Sequence, residues 1–229
     1  IAVNVPDRNG KLANVALGYD RFESYFGDGP YMGKTPGRFA NRIGEGRFTL
    51  DGKEYRLAQN SGGQHLHGGL KGFANKVWTG RVETDRVVFS LVSPDGDDKY
   101  PGEVTVEVCY DWNDDCELEI TYYAKTDAPT IINLTNHSYF NLKGESVGRA
   151  MEQELQLNAS KFLWYDKNCI PTGELVEVKG TPMDFTTAKP LARDIDAYYE
   201  PLNIGHGYDQ SWAIDGYEKG KLSEAGVLS

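Results

Sequence analysis

The chain is poor in cysteine. Its three, Cys109, Cys116 and Cys169, are an odd number with no C-x-x-C pair, so the sequence spells neither a disulfide framework nor a zinc ligand set. They read as buried thiols in a reducing compartment such as the cytoplasm, with export left open. Basic charge is also short: 24 Lys and Arg against 34 Asp and Glu leave a formal net charge of −10. That balance argues against nucleic acid or an anionic membrane surface as the main partner and favours a neutral or cationic small molecule. No apolar run is long enough to cross a bilayer. Helical periodicity is missing too, the nearest approach being Ala188 to Tyr199, where Pro190 interrupts. Without helices to cover both faces of a sheet, a parallel α/β architecture is disfavoured.

What is abundant is turn and strand chemistry, with 26 glycines and 12% aromatic residues. The pattern predicts an all-β, antiparallel chain with little helix, as one domain over residues 1–229. Arg47–Leu50 and Lys53–Leu57 flank Asp51-Gly52, a hairpin whose turn needs positive φ. Lys76 to Glu83 and Arg86 to Ser93 predict a second hairpin, with Val87, Phe89 and Leu91 on one face. Glu103 to Trp112, Cys116 to Lys125 and Thr130 to Asn141 predict three longer strands of a meander, and Glu152 to Leu157 and Gly173 to Val178 two more. Asp215-Gly216 is another hairpin signal. The chain opens on Ile1 rather than methionine, inside an apparent strand over Ile1 to Val5, which suggests that it starts within a longer protein.

Three polar blocks interrupt this pattern. In Pro36 to Ile43, Arg38, Asn41 and Arg42 sit in an otherwise apolar run, and such groups need partners if buried. Gly62 to Gly69 holds His65 and His67 between glycines that allow close backbone approach. An H-x-H pair on a strand can chelate a metal, but no third ligand stands at a suitable spacing. Asn133 to Leu142 mixes polar and apolar residues as a strand lining a wet pocket does, with His137 able to exchange a proton near neutral pH.

Six ordered blocks together resemble the aldose 1-epimerases, or galactose mutarotases: Gly37 to Ile43, Leu66 to Gly69, Leu134 to Leu142, Pro171-Thr172-Gly173, Gly180 to Phe185, and Gly207-Tyr208-Asp209. The resemblance implies a large antiparallel β-sandwich that binds a monosaccharide and interconverts its anomers without cofactor or metal. It implies His137 as general acid at the ring oxygen, His67 holding charge near the same atom, and Asn41, Arg42 and Asp209 holding sugar hydroxyls. His65 and Arg38 map onto no catalytic role. The family's general base, a glutamate, is expected beyond Ser229, so the chain resembles a mutarotase shortened at both ends and is expected to be weak or inactive alone. Rival readings are a hexose-6-phosphate epimerase of the same superfamily, a non-catalytic sugar-binding module, and a metal enzyme using His65 and His67. Monomer and homodimer are both open.

Overall fold

The computed structural model describes residues 2–27 and 29–229; Ile1, the start of the strand expected over Ile1 to Val5, lies outside them. A first short hairpin pairs β1 (Asn4–Pro6) with β2 (Leu12–Asn14). Its turn is closed by Asp7, whose Oδ1 accepts from the N–H groups of Asn9 and Lys11 at 2.8 and 2.9 Å. Backbone contacts divide the chain into two compact units, one holding residues 17–139 and the other residues 140–229 as their main segments.

In the first unit, β3 (Arg42–Ile43) is followed by the hairpin of β4 (Arg47–Leu50) and β5 (Lys53–Arg56), and β6 (His65–Leu66) returns to pair with β3. Asp51 and Gly52 take φ of 49° and 77°, the positive values expected of the turn. Phe48 and Tyr55, directly opposite across the hairpin, stack at 5.1 Å. Next come β7 (Thr79–Val82), β8 (Arg86–Ser93), β9 (Val104–Trp112) and β10 (Leu118–Thr126), an antiparallel sheet in sequence order. Alternation along β9 puts Val104, Val106 and Val108 on one face, all at most 1% exposed, against Phe73. Each of these burials contributes about 1.5–3 kcal/mol.

The expected face of β8 holds only in part. Leu91 packs on the β9 core, but Phe89 is 38% exposed while Val88, on the other face, is 1% exposed. The second hairpin starts later than expected, at Thr79. The third strand of the meander is not a regular strand: residues 130–141 run through single bridges, Phe39 to Asn133 and Ala16 to Phe140. Its polar and apolar residues do not alternate, so neither face could be buried against a ladder partner.

In the second unit, β11 (Glu154–Leu157), β12 (Lys161–Tyr165), β13 (Pro171–Glu177), β14 (Lys189–Pro190), β15 (Trp212–Ala213) and β16 (Gly226–Leu228) form two three-stranded antiparallel sheets, ordered β14-β11-β16 and β13-β12-β15. The two strands expected near residues 152–157 and 173–178 correspond to β11 and β13. Phe162, Val178, Met183 and Leu202 make the core. Leu202 comes from the one α-helix among the described residues, α1 (Glu200–Gly205), which starts just beyond the Ala188 to Tyr199 region, carries Pro201 in its first turn and ends at His206 with φ of 53°. Asp215-Gly216 makes a turn but not a hairpin, because β15 pairs with β12 and β16 with β11.

Among the described residues the ladders from β3 to β16 pair antiparallel, the isolated bridge between Phe39 and Asn133 is parallel, and helix is minimal, in keeping with the sequence pattern. The cysteine expectation needs correction: Cys109 is buried, but Cys116 is exposed in the turn between β9 and β10 and Cys169 is half-buried. A polar Asn-Asp-Asp turn gives Cys116 nothing apolar to pack against.

Candidate active site

The three polar blocks of the first unit meet at the segment Gly37–Ile43. Asn133 N–H donates to Arg38 O at 3.0 Å, and Ala40 N–H donates to Asn133 O at 2.8 Å. On its other side the segment presses against the glycine loop after β6. A Cβ on Gly68 would stand 1.6 Å from Gly37 O, and one on Gly72 would stand 2.6 Å from His67 O. Only glycine allows this approach, and Gly68 also sits at φ of 84°.

Arg38 is the buried strut of this arrangement, 2% exposed. Its guanidinium donates to Pro101 O and Gly102 O, both at 2.8 Å, and to Ser93 Oγ at 2.7 Å, and it lies over the Tyr100 ring. His65 is fully buried beside it. Nδ1 donates to Ala58 O at 2.7 Å, a group that can only accept, so in the neutral ring Nε2 accepts from Tyr100 OH at 2.5 Å. Burial holds its pKa below the usual imidazole range. With both nitrogens engaged, His65 has no lone pair for a metal, and no group of three or more His, Cys, Asp or Glu suited to a metal gathers among the described residues. Arg38 and His65, given no catalytic role in the sequence reading, spend their polar atoms on these buried contacts.

His67 does different work. Past the end of β6 it takes φ of 54°, a left-handed conformation uncommon for a side-chain-bearing residue. Asn41, also left-handed at 67°, donates its N–H to His67 Nδ1 at 3.0 Å, and the His67 N–H donates back to Asn41 O at 3.1 Å. Asn41 Oδ1 accepts from the Arg42 N–H at 2.8 Å. Because Nδ1 is an acceptor, the neutral His67 ring carries its proton on Nε2. Burial first, and then charge on His137 and Arg42, lowers its pKa to about 4. Near neutral pH it is a hydrogen-bond donor rather than a base.

His137 faces it with ring centroids 5.4 Å apart and planes at 89°. Irregular backbone positions it: His137 N–H donates to Lys34 O at 3.0 Å, and Gly33 N–H donates to His137 O at 3.1 Å. Two aromatic residues given no role in the sequence reading flank the pair. Tyr31 lies 4.8 Å from the His67 ring and 6.0 Å from that of His137, and Tyr139 lies 5.2 Å from His137. Tyr31 stands between Gly29-Pro30 and Gly33, at φ of 56°, a bulky aromatic among turn formers and the one signal that could have drawn attention to it.

The structure therefore brings His67, His137, Asn41 and Arg42 together within one unit. Asp209 belongs to the other unit, exposed just after α1, where its N–H donates to Gly207 O and to Gln210 Oε1, each at 3.1 Å.

Comparison with known proteins matches residues 1–225 to the family described as aldose 1-epimerase. The chain belongs to the aldose 1-epimerase family. It is 44% identical over 215 residues to galactose mutarotase of Bos taurus, covering 94% of this chain and 61% of that protein. It is 36% identical over 230 residues to aldose 1-epimerase of Escherichia coli K12, covering 100% of this chain and 66% of that protein. Among solved structures, galactose 1-epimerase from Lactobacillus acidophilus superimposes with a TM-score of 0.84 at 29% identity, over 95% of this chain and 64% of the other. The GalM/aldose epimerase homologue from C. elegans gives 0.77 at 36% identity, over 82% and 57%. The chain thus spans about three fifths of the length of the curated mutarotases it matches. No helix among the described residues is long and apolar enough to cross a membrane.

Proposed function

We propose that the protein carrying this chain interconverts the α and β anomers of a free hexose, galactose or glucose, by general acid/base ring opening. The observation that supports this most directly is the perpendicular imidazole pair, with His67 held as a neutral Nε2–H donor and His137 5.4 Å away. His137 gives a proton to the ring oxygen as the bond from that oxygen to C1 breaks, while a base takes the proton of the anomeric hydroxyl. The open-chain aldehyde rotates about C1–C2 and closes on its other face. His67 donates toward the ring oxygen and stabilises the charge that develops there. Asn41 and Arg42 hold sugar hydroxyls, with Arg42 a fixed set of donors. His67 cannot be the base, since its Nδ1 is occupied and its Nε2 already bears the proton.

Polarimetry of freshly dissolved α-D-galactose tests the reading on the whole protein that carries this chain: it should hasten the approach to equilibrium rotation, and much less so with glucose 6-phosphate. A rate equal to the uncatalysed one for galactose would refute it, and preference for the phosphate ester would move the substrate class to phosphorylated hexoses.

A further inference from the structure

The block Gly180–Phe185 is conspicuous in the sequence and has no part in the chemistry above. In the second unit it lines, with Thr187, Lys189, Arg193 and Asp194, a cavity of about 470 Å³. Clefts that take small molecules run from roughly 300 to 1,000 Å³.

The segment that lines it is anchored by its two fully buried residues. Met183 and Phe185 are 0% and 1% exposed, and Trp212 Nε1 donates to Met183 O at 3.1 Å. Lys189, 5% exposed, donates from Nζ to Pro182 O at 2.6 Å and to Asp194 Oδ2 at 2.7 Å, and its ammonium lies 4.3 Å from the Phe185 ring centroid. Asp184 Oδ1 accepts from both the N–H and the hydroxyl of Thr186, at 3.0 and 2.6 Å. A cavity held this way keeps its shape without a ligand, so little ordering has to accompany binding.

Charge and donor chemistry narrow the occupant. The lining has two cations, Lys189 and Arg193, and two carboxylates, Asp184 and Asp194, so an anion meets no net attraction. Lys189 and one oxygen of Asp194 are engaged with each other, which leaves Asp194 Oδ1 as an acceptor. The exposed Arg193 reaches Asp194 only through Nε at 3.9 Å, which leaves its amino groups as donors, and the Thr187 hydroxyl can do either. A carboxylate oxygen, a guanidinium and a hydroxyl around a neutral, preformed cavity match the alternating donors and acceptors of a polyol. We propose that this cavity is a carbohydrate-binding site that takes one neutral sugar unit and shares no residue with the histidine cluster. It does not depend on the anomer-interconverting reading.

Amide ¹H–¹⁵N spectra of the labelled protein, titrated with D-galactose and with lactose, test it. An open polar cavity predicts a Kd of about 1–10 mM, with shifts at Gly180, Thr187, Lys189 and Arg193. Thr187→Trp, at an exposed position, should block the cavity and abolish those shifts while leaving the rest of the spectrum dispersed. Arg193→Ala should weaken binding roughly fivefold, the worth of one hydrogen bond, and His137→Gln should leave these shifts intact even where it removes turnover. The proposal is overturned if these amides do not move at about 50 mM sugar, if they move equally in Thr187→Trp, or if inorganic phosphate moves them more than sugar does.

Discussion

Asn41 and His67 hold each other through two hydrogen bonds, Asn41 N–H to His67 Nδ1 at 3.0 Å and His67 N–H to Asn41 O at 3.1 Å, with both residues in left-handed backbone. The pair sets the tautomer of the imidazole. Long-range ¹H–¹⁵N correlation should show His67 with a bare Nδ1 and a protonated Nε2 across the neutral range, titrating near pH 4. A protonated Nδ1 at pH 7 would contradict this geometry, and the donor role assigned to His67 would go with it.

For His137 the expected signature is kinetic. Replacing it with Gln in the whole protein that carries this chain keeps a hydrogen-bonding side chain of similar reach and removes the titratable proton. The kcat for galactose should fall by about 10²–10⁴ with KM little changed, the loss typical of a general acid. A variant with near-normal kcat would assign proton delivery to another group.

Acid should weaken the fold through His65, which is buried, and His67, which is half-buried. His65 and His67 both have folded pKa values below the ordinary imidazole value, so the unfolded chain takes up protons first. Their contribution to stability is complete above about pH 6.5 and is lost as pH falls toward 4. Urea denaturation should give a lower midpoint at pH 4.5 than at 7.5, and His67→Gln should flatten the dependence. A midpoint that rises on acidification would mean the signs are reversed.

Glycine position separates packing from conformation. Gly68→Ala forces a Cβ to within 1.6 Å of Gly37 O at φ of 84°, and should cost about 3 kcal/mol or more, seen as a large fall in Tm or loss of soluble protein. Gly62→Ala, at φ of 54° with nothing within 4 Å of the new Cβ, should cost only the left-handed backbone penalty, about 1–2 kcal/mol. Equal effects at the two sites would show that the Gly37–Gly68 contact is unimportant.

The sequence alone determined the class of the fold, because period-2 alternation in β9 and the Asp51-Gly52 turn are local properties that the chain cannot satisfy in a helix. It also pointed to His137 as a group able to exchange a proton, because it stands in a mixed polar segment unsuited to a plain strand, whereas the choice of His67 over His65 came only from the resemblance to the aldose 1-epimerases. Tertiary structure alone decided what each histidine touches. His65 and His67 are two residues apart, yet one has both nitrogens bonded to Ala58 and Tyr100 and the other is turned by left-handed backbone to face His137, 70 residues further along. The same holds for Tyr31 and for the cavity beside Lys189. Which buried donor meets which acceptor depends on contacts between residues far apart in the chain, and no local pattern encodes them.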